Sequence, residues 1–174
     1  MAGYTHVGPG LPPLHGARAN ALILGSFPSP KSREQGFFYG HKQNRFWPMI
    51  AAVTGEPVPD WADIEAKKAI ILNHGLALWD TIGACDIKGA SDASIRNAVP
   101  NDVAALIRKL GVQAVFCNGA ASGRIYAKYA EPLTHLPATV LPSTSPANAA
   151  WSPARLQATW GAALAPFLQL TGCK

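Results

Sequence analysis

Four short, largely apolar runs, Ala21–Leu24, Leu76–Trp79, Ala114–Cys117 and Thr139–Leu141, recur along the chain with helix-patterned segments between them. A continuous apolar run of this length is the pattern of a strand covered on both faces, as in a parallel sheet. The segments between carry helix punctuation. Arg45–Val53 ends near Thr54-Gly55, with Pro57 and Pro59 beyond it. Asp60 is placed to cap a helix from Trp61 to Asn73, ended by His74-Gly75, and Asn101 to cap Asp102–Leu110, stopped by Gly111. Another helix runs from about Ala120 to Tyr129, and Ser152-Pro153 opens the last with an N-cap and a first-turn proline. Asp80–Pro100 follows neither period and reads as a long loop region. The alternation predicts a three-layer α/β/α fold around a central, mainly parallel four-stranded sheet. Ligands of such sheets bind beyond the carboxyl ends of the strands. The loops Gly25–Pro30 and Pro142–Asn148 both follow strands, so both are expected on one rim.

Residues 17–174 are expected to form a single domain, with residues 1–16, rich in Gly and Pro, as an irregular tail or strap. Apolar residues make up 48% of the chain and charged ones 14%, which excludes a disordered protein. Lys and Arg outnumber Asp and Glu by 15 to 10, a balance that favours a polyanionic partner. Lys67, Lys68, Arg108 and Lys109 read as solvated helix faces. Cys85, Cys117 and Cys173 are far apart and lack metal-ligand spacing, so neither a zinc site nor an iron–sulfur cluster is expected. Buried free thiols suit a reducing cytoplasm. No signal-peptide core or membrane-span length occurs, which predicts a cytoplasmic protein without membrane contact.

The stretch Gly36-Phe37-Phe38-Tyr39-Gly40-His41-Lys42-Gln43-Asn44-Arg45-Phe46-Trp47 points to function. Clustered aromatics, an amide, a histidine and two cations in a glycine-punctuated loop suit a pocket that stacks a flat ring, binds its polar edge and sits beside phosphates. The alternative is that the aromatics are core, which accounts for Phe46 and Trp47 but not for the polar Gly40–Arg45 between two apolar runs.

The Gly-x-x-Pro after a strand, followed by Phe-x-x-x-His-x-x-Asn-Arg-Phe-Trp, resembles the mismatch-specific enzymes of the uracil-DNA glycosylase superfamily. The spelling Gly25-Ser26-Phe27-Pro28-Ser29, with Leu141-Pro142-Ser143-Thr144-Ser145-Pro146-Ala147-Asn148, is more similar to its hypoxanthine (deoxyinosine) DNA glycosylase branch. The resemblance runs from about Ala21 to Leu170. It implies a monomeric enzyme without metal or cofactor, whose partner is DNA and which removes a flipped deaminated base, hypoxanthine ahead of uracil, without cutting the strand. A uracil-directed glycosylase and a non-catalytic binder of damaged nucleic acid are the alternatives.

By this resemblance the catalytic residue is Asn44, whose amide can accept from a water and donate to the substrate; His41 ranks second. The alternative is that Asn44 caps the helix that follows it, since Asn is among the best N-cap residues. Phe38 or Tyr39 is expected to stack on the base. Backbone groups of Gly25 and Ser26 are expected at its edge, with Phe27 as an apolar wall and Asn118 lining the pocket. Lys42, Arg45, Ser143, Thr144, Ser145 and Asn148 are the candidate DNA contacts. The chain departs from the uracil enzymes at four points, one of them Leu141, which stands where their second motif begins with Asn. Phe27 stands where their motif has the water-orienting Asn, Ser145 where it has a wedge Leu, and Ala147 where it has an Arg.

Overall fold

The computed structural model describes residues 3–169, and Cys173 therefore lies outside the described residues. In chain order the strands are β1 (Thr5–Val7), β2 (Ala21–Gly25), β3 (Leu76–Asp80), β4 (Ile82–Ile87), β5 (Arg96–Pro100), β6 (Ala114–Asn118) and β7 (Ala138–Leu141). The α-helices are α1 (Pro30–Gln35), α2 (Phe46–Thr54), α3 (Ile64–Asn73), α4 (Val103–Leu110), α5 (Ala120–Tyr129), α6 (Glu131–Thr134) and α7 (Pro153–Leu164).

The central sheet has the order β3-β2-β6-β7, and every pairing in it is parallel. All five residues of β2 are buried. Its alternate side chains enter different cores: Ala21 and Ile23 pack with α2, α3 and α7 through Ile50, Ile71 and Trp160. Leu22 and Leu24 pack with α4 and α5 through Val103, Leu106 and Tyr126. A strand covered on both faces has no polar side, which is why these runs lack alternation. The expected three-layer architecture is thereby realised.

The region expected as loop, Asp80–Pro100, instead holds β4 and β5, which join β1 in a small antiparallel sheet of order β1-β4-β5. Register shifts interrupt the β4–β5 pairing on both sides of Ala84, so buried positions fall at Ile82, Cys85 and Ile87 instead of at every second residue. A bulged strand loses the period by which strands are recognised. The N-terminal segment contributes β1, and Leu14 bridges Leu78 beside the central sheet. Cys85 and Cys117 are buried free thiols.

Helix starts differ from expectation where several residues compete for a cap. Asp63, not Asp60, caps α3 by accepting from Ala66 N at 3.0 Å. Trp61 lies in the preceding turn, where its indole donates to Gly40 O at 2.6 Å. Lys67 is 1% exposed and donates to Trp61 O at 2.7 Å, so it is a buried brace and not a solvated lysine. Asp102 caps α4 through Ala105 N at 3.1 Å, while Asn101 donates to Asp80 O. Asp102→Ala is expected to cost about 1 kcal/mol in urea unfolding. Asp60→Ala, which removes no cap, is expected to stay within about 0.5 kcal/mol of wild type.

Candidate active site

The four strands of the central sheet end level with one another. Gly25 is the partner of Asp80, Leu24 pairs with Cys117 just before Asn118, and Asn118 pairs with Leu141. Asp80, Gly25 and Asn118 continue the face that carries Leu78, Ile23 and Phe116, by the two-residue period of a strand. Gly25 leaves a notch between an acid and an amide. A Cβ at this position would collide with Asp80 Oδ1, so the glycine is required here. A cavity of about 840 Å³ opens on this rim, as expected for an open parallel sheet. Its walls include Phe38, Tyr39 and Asn44 from one side and Ser143–Ser145 from the other.

Asn44 is held by a chain of hydrogen bonds. Its Oδ1 accepts from Phe46 N at 2.9 Å and from the Thr144 hydroxyl at 2.8 Å. Thr144 is fully buried; its Oγ1 accepts from Asn118 Nδ2 at 3.0 Å, and its backbone N donates to Asn118 Oδ1 at 3.0 Å. Because a backbone N–H can only donate, Phe46 fixes which end of the Asn44 amide is oxygen. The carbonyl is saturated and the NH2 group is the end left for a ligand. Asn44 therefore lines the cavity and braces the turn before α2 through Phe46 N, while the N-cap position of α2 falls to Arg45, which makes no side-chain cap bond.

Several expected DNA contacts have other partners. The Arg45 guanidinium donates to Ser145 O at 2.8 Å, to Asn148 O at 3.0 Å and to Trp151 O, and Arg45 N donates to Thr144 O at 3.0 Å. Arg45 thus ties down the loop after β7 and offers no free fork to a phosphate. Thr144 is likewise committed to Asn44. Ser143 Oγ and Ser145 Oγ accept from backbone N–H groups of their own loop, and Asn148 Nδ2 donates to Ser143 O, although all three residues still line the cavity. His41 does not line it; its Nδ1 accepts from Gln43 N at 3.1 Å, which makes it a loop-turn residue. Lys42 is exposed outside the cavity with its ammonium 4.8 Å over the Trp61 ring.

The aromatics divide their roles. Phe38 is 4% exposed and packs edge-on against Phe37 in the core, yet it also lines the cavity. Tyr39 has φ 53, an uncommon conformation for a non-glycine residue, and stacks on Phe46 with ring centroids 4.0 Å apart. Phe27 is buried against Ile82, Cys85 and Ile87 and contributes an apolar part of the wall. Ser26 donates from its hydroxyl to Asp92 Oδ2 at 2.8 Å. Asp80 and Asp92 both line the cavity, and neither stood out in the sequence. Asp80 ends a strand in plain view, but only the β2–β3 register puts it beside Gly25.

The family model of the uracil DNA glycosylase superfamily matches residues 12–164. The chain belongs to that superfamily. A protein of Methanosarcina acetivorans named hypoxanthine DNA glycosylase is 31% identical over 157 residues, 88% of this chain and 95% of the relative. One of the same name from Methanosarcina barkeri is 28% identical over 115 residues, 66% of this chain and 72% of the relative. A solution NMR structure from Methanosarcina acetivorans, provisionally named a uracil DNA glycosylase, superposes with a TM-score of 0.75 at 28% identity, covering 91% of this chain and 96% of that one. Among the described residues of this superfamily member, no cluster of three or more His, Cys, Asp or Glu could hold a metal ion, and no helix is long and apolar enough to cross a membrane.

Burial controls the acids of this cavity. Asp80 is 5% exposed, and desolvation followed by the charge of Asp92 pushes its carboxyl up to about 7. Asp92 is raised as well, by desolvation and against the Ser26 hydrogen bond. Desolvation first, and the Asp80 charge next, raise the Tyr39 phenol, so it stays neutral. An acid titrating higher when folded than when unfolded adds stability that is complete below its unfolded value, near 3.8, and is lost as pH climbs through about 7. Asp80→Asn is therefore expected to match wild type in urea unfolding at pH 4. At pH 8 it should be more stable by a few kcal/mol at most, since each tenfold change in proton affinity is worth about 1.4 kcal/mol.

Proposed function

We propose that the chain is a DNA glycosylase that hydrolyses the N-glycosidic bond of a deaminated base extruded into the 840 Å³ cavity, with hypoxanthine preferred to uracil. The observation that carries this reading is the fixed amide of Asn44, which lines the cavity with Phe38 and Tyr39 and whose carbonyl already holds two hydrogen bonds. The names of the two Methanosarcina relatives support the choice of base.

In this reaction the bond from the base nitrogen to C1′ breaks, and its electron pair leaves with the base. Water adds to C1′ and releases a proton. A held amide N–H needs no reorganisation to meet charge developing in the transition state, and that is the source of its effect. The saturated carbonyl makes Asn44 a donor to the substrate, whereas the sequence also allowed it to accept from the water. Phe38 and Tyr39 provide ring surface for the base, worth about 1–3 kcal/mol per stacked base. Among the described residues no lysine lines the cavity, which favours simple hydrolysis over a Schiff-base route that cuts the strand.

The test is single-turnover release of free base from oligonucleotides carrying deoxyinosine, deoxyuridine or only normal bases. Wild type is expected to act on deoxyinosine fastest, and Asn44→Ala to lose about a hundredfold or more of that rate. Uracil release alone would transfer the activity to the other deaminated base. Binding without release of any base would make the protein a sensor. Thr144→Val deletes the hydroxyl that saturates Asn44 and is expected to lower the chemical rate about tenfold with little change in duplex affinity. Thr144→Ser should restore it.

A further inference from the structure

No Lys, Arg or His lines the cavity among the described residues, and Arg45 commits its guanidinium to loop carbonyls. Cations that meet a nucleic-acid backbone therefore have to stand outside the wall, next to the opening. The small β1-β4-β5 sheet puts a group of them there. Ile87, Ala90, Ser91 and Asp92 line the cavity, so one end of this sheet reaches the rim. Thr5 pairs with Ile87, and the next two positions facing each other at that end are Tyr4 and Lys88. Arg96 opens β5 at the same end. Cys85 and Ile87 turn inward to pack with Phe27, so by the two-residue period Asp86 and Lys88 point outward.

Both cations sit on one ring. Arg96 Cζ lies 3.4 Å and Lys88 Nζ 4.7 Å from the centroid of Tyr4, which is 37% exposed. Lys88 and Arg96 are themselves exposed, and among the described residues neither has a carboxylate within salt-bridge distance. Asp86 faces Arg96 in the β4–β5 register, but its oxygens accept from His6 Nδ1 at 2.9 Å and from Asn97 Nδ2 at 2.8 Å. Two like charges are thus gathered beside the cavity with no acid paired to them. An aromatic face holds a guanidinium flat and leaves its N–H edge for a bidentate anion such as a phosphate.

We propose that Tyr4, Lys88 and Arg96 form a phosphate-binding platform for one flank of a DNA duplex, the two cations contacting the backbone beside the extruded nucleotide. This rests on the glycosylase reading and adds a surface that holds the strand while the base is out of the stack. Phosphate contacts fix register and orientation without reading sequence, which suits an enzyme that meets a damaged base in any context. Tyr4 is a positioning residue here: it seats the cations and touches no base.

The test measures affinity for a duplex containing an abasic site, where no base remains to be released, as NaCl is raised from about 50 to about 300 mM. Each phosphate contact contributes about 0.9 to the slope of log affinity against log salt, so Lys88→Ala combined with Arg96→Ala should flatten the slope by about 1.8. Affinity at the low-salt end should fall about tenfold or more. Tyr4→Leu keeps both charges and loses their seat, so it should weaken binding about threefold with the wild-type slope. Arg108→Ala combined with Lys109→Ala removes the same charge from the last turn of α4 and should keep the wild-type slope. Because the platform lies on one side of the opening, shortening the duplex on one side of the abasic site should erase the difference between wild type and the Lys88/Arg96 variant. Shortening the other side should not. An unchanged slope in that variant overturns the proposal. So does an equal loss in the α4 control, which would reduce the effect to net charge. The glycosylase reading fails separately: a wild type that shows this slope change but releases no base is a DNA binder with the platform intact. A wild type without affinity for the duplex overturns both.

Discussion

The hydrogen-bond chain Asn118–Thr144–Asn44 is the constraint on which the site depends. Its three members come from the end of β6, the loop after β7 and the loop before α2, so no single element could hold the amide of Asn44 in place. Each bond is modest by itself, about 1 kcal/mol net. Their strength lies in mutual satisfaction: Thr144 is fully buried and its hydroxyl both donates and accepts, leaving no orphan in the relay. Arg45 closes the same junction from below by donating to three carbonyls of the 145–151 loop. The two loops are thereby one rigid unit, which is what positioned catalysis requires.

The sheet supplies the second constraint. Neighbouring strands lie about 4.8 Å apart, so Asp80 and Asn118 face each other across about 10 Å with only Gly25 between them. A side chain at residue 25 would fill that space and displace the Asp80 carboxyl. The glycine matters here as an absence of volume at a strand end, more than as a source of unusual backbone angles. Cavity and core are thus coupled: the alternation that buries Ile23 and Leu78 also decides on which face of the sheet Asp80 lies.

How far the sequence could be read follows from how local each signal is. Buried parallel strands are continuous apolar runs and were legible, as were Ser152 and Gly55 at helix ends. Asp60 and Asp63 are equally good caps in isolation, and only the bonds that occupy Trp61 decide between them. The β4–β5 hairpin stayed hidden because its bulges erase the period. In the site, Phe38, Tyr39, Asn44, Asn118 and the 143–148 loop meet around one cavity, as their motifs imply. Arg45 and His41 do not serve it directly. A cation in a polar motif reads as a phosphate ligand until the carbonyls it serves, far along the chain at Ser145 and Asn148, are known. Asp80 and Asp92 carry no motif at all, and what singles them out is neighbourhood.

Charge is distributed against the simplest picture of a DNA-binding cleft. The whole chain carries a formal +5, yet the described cavity wall holds two acids and no cation. A phosphate would be repelled from such a space, while a neutral base with a polar edge loses little by entering it. On the glycosylase reading proposed above, such a wall suits the base of a nucleotide better than its phosphate. This arrangement also explains why burying two carboxylates together is tolerable. Desolvation raises both carboxyls, and the charge of Asp92 raises Asp80 further, so Asp80 avoids the cost of a buried charge by holding its proton up to about pH 7. The instability it introduces near neutral pH is borne by the large double-sided core beneath it.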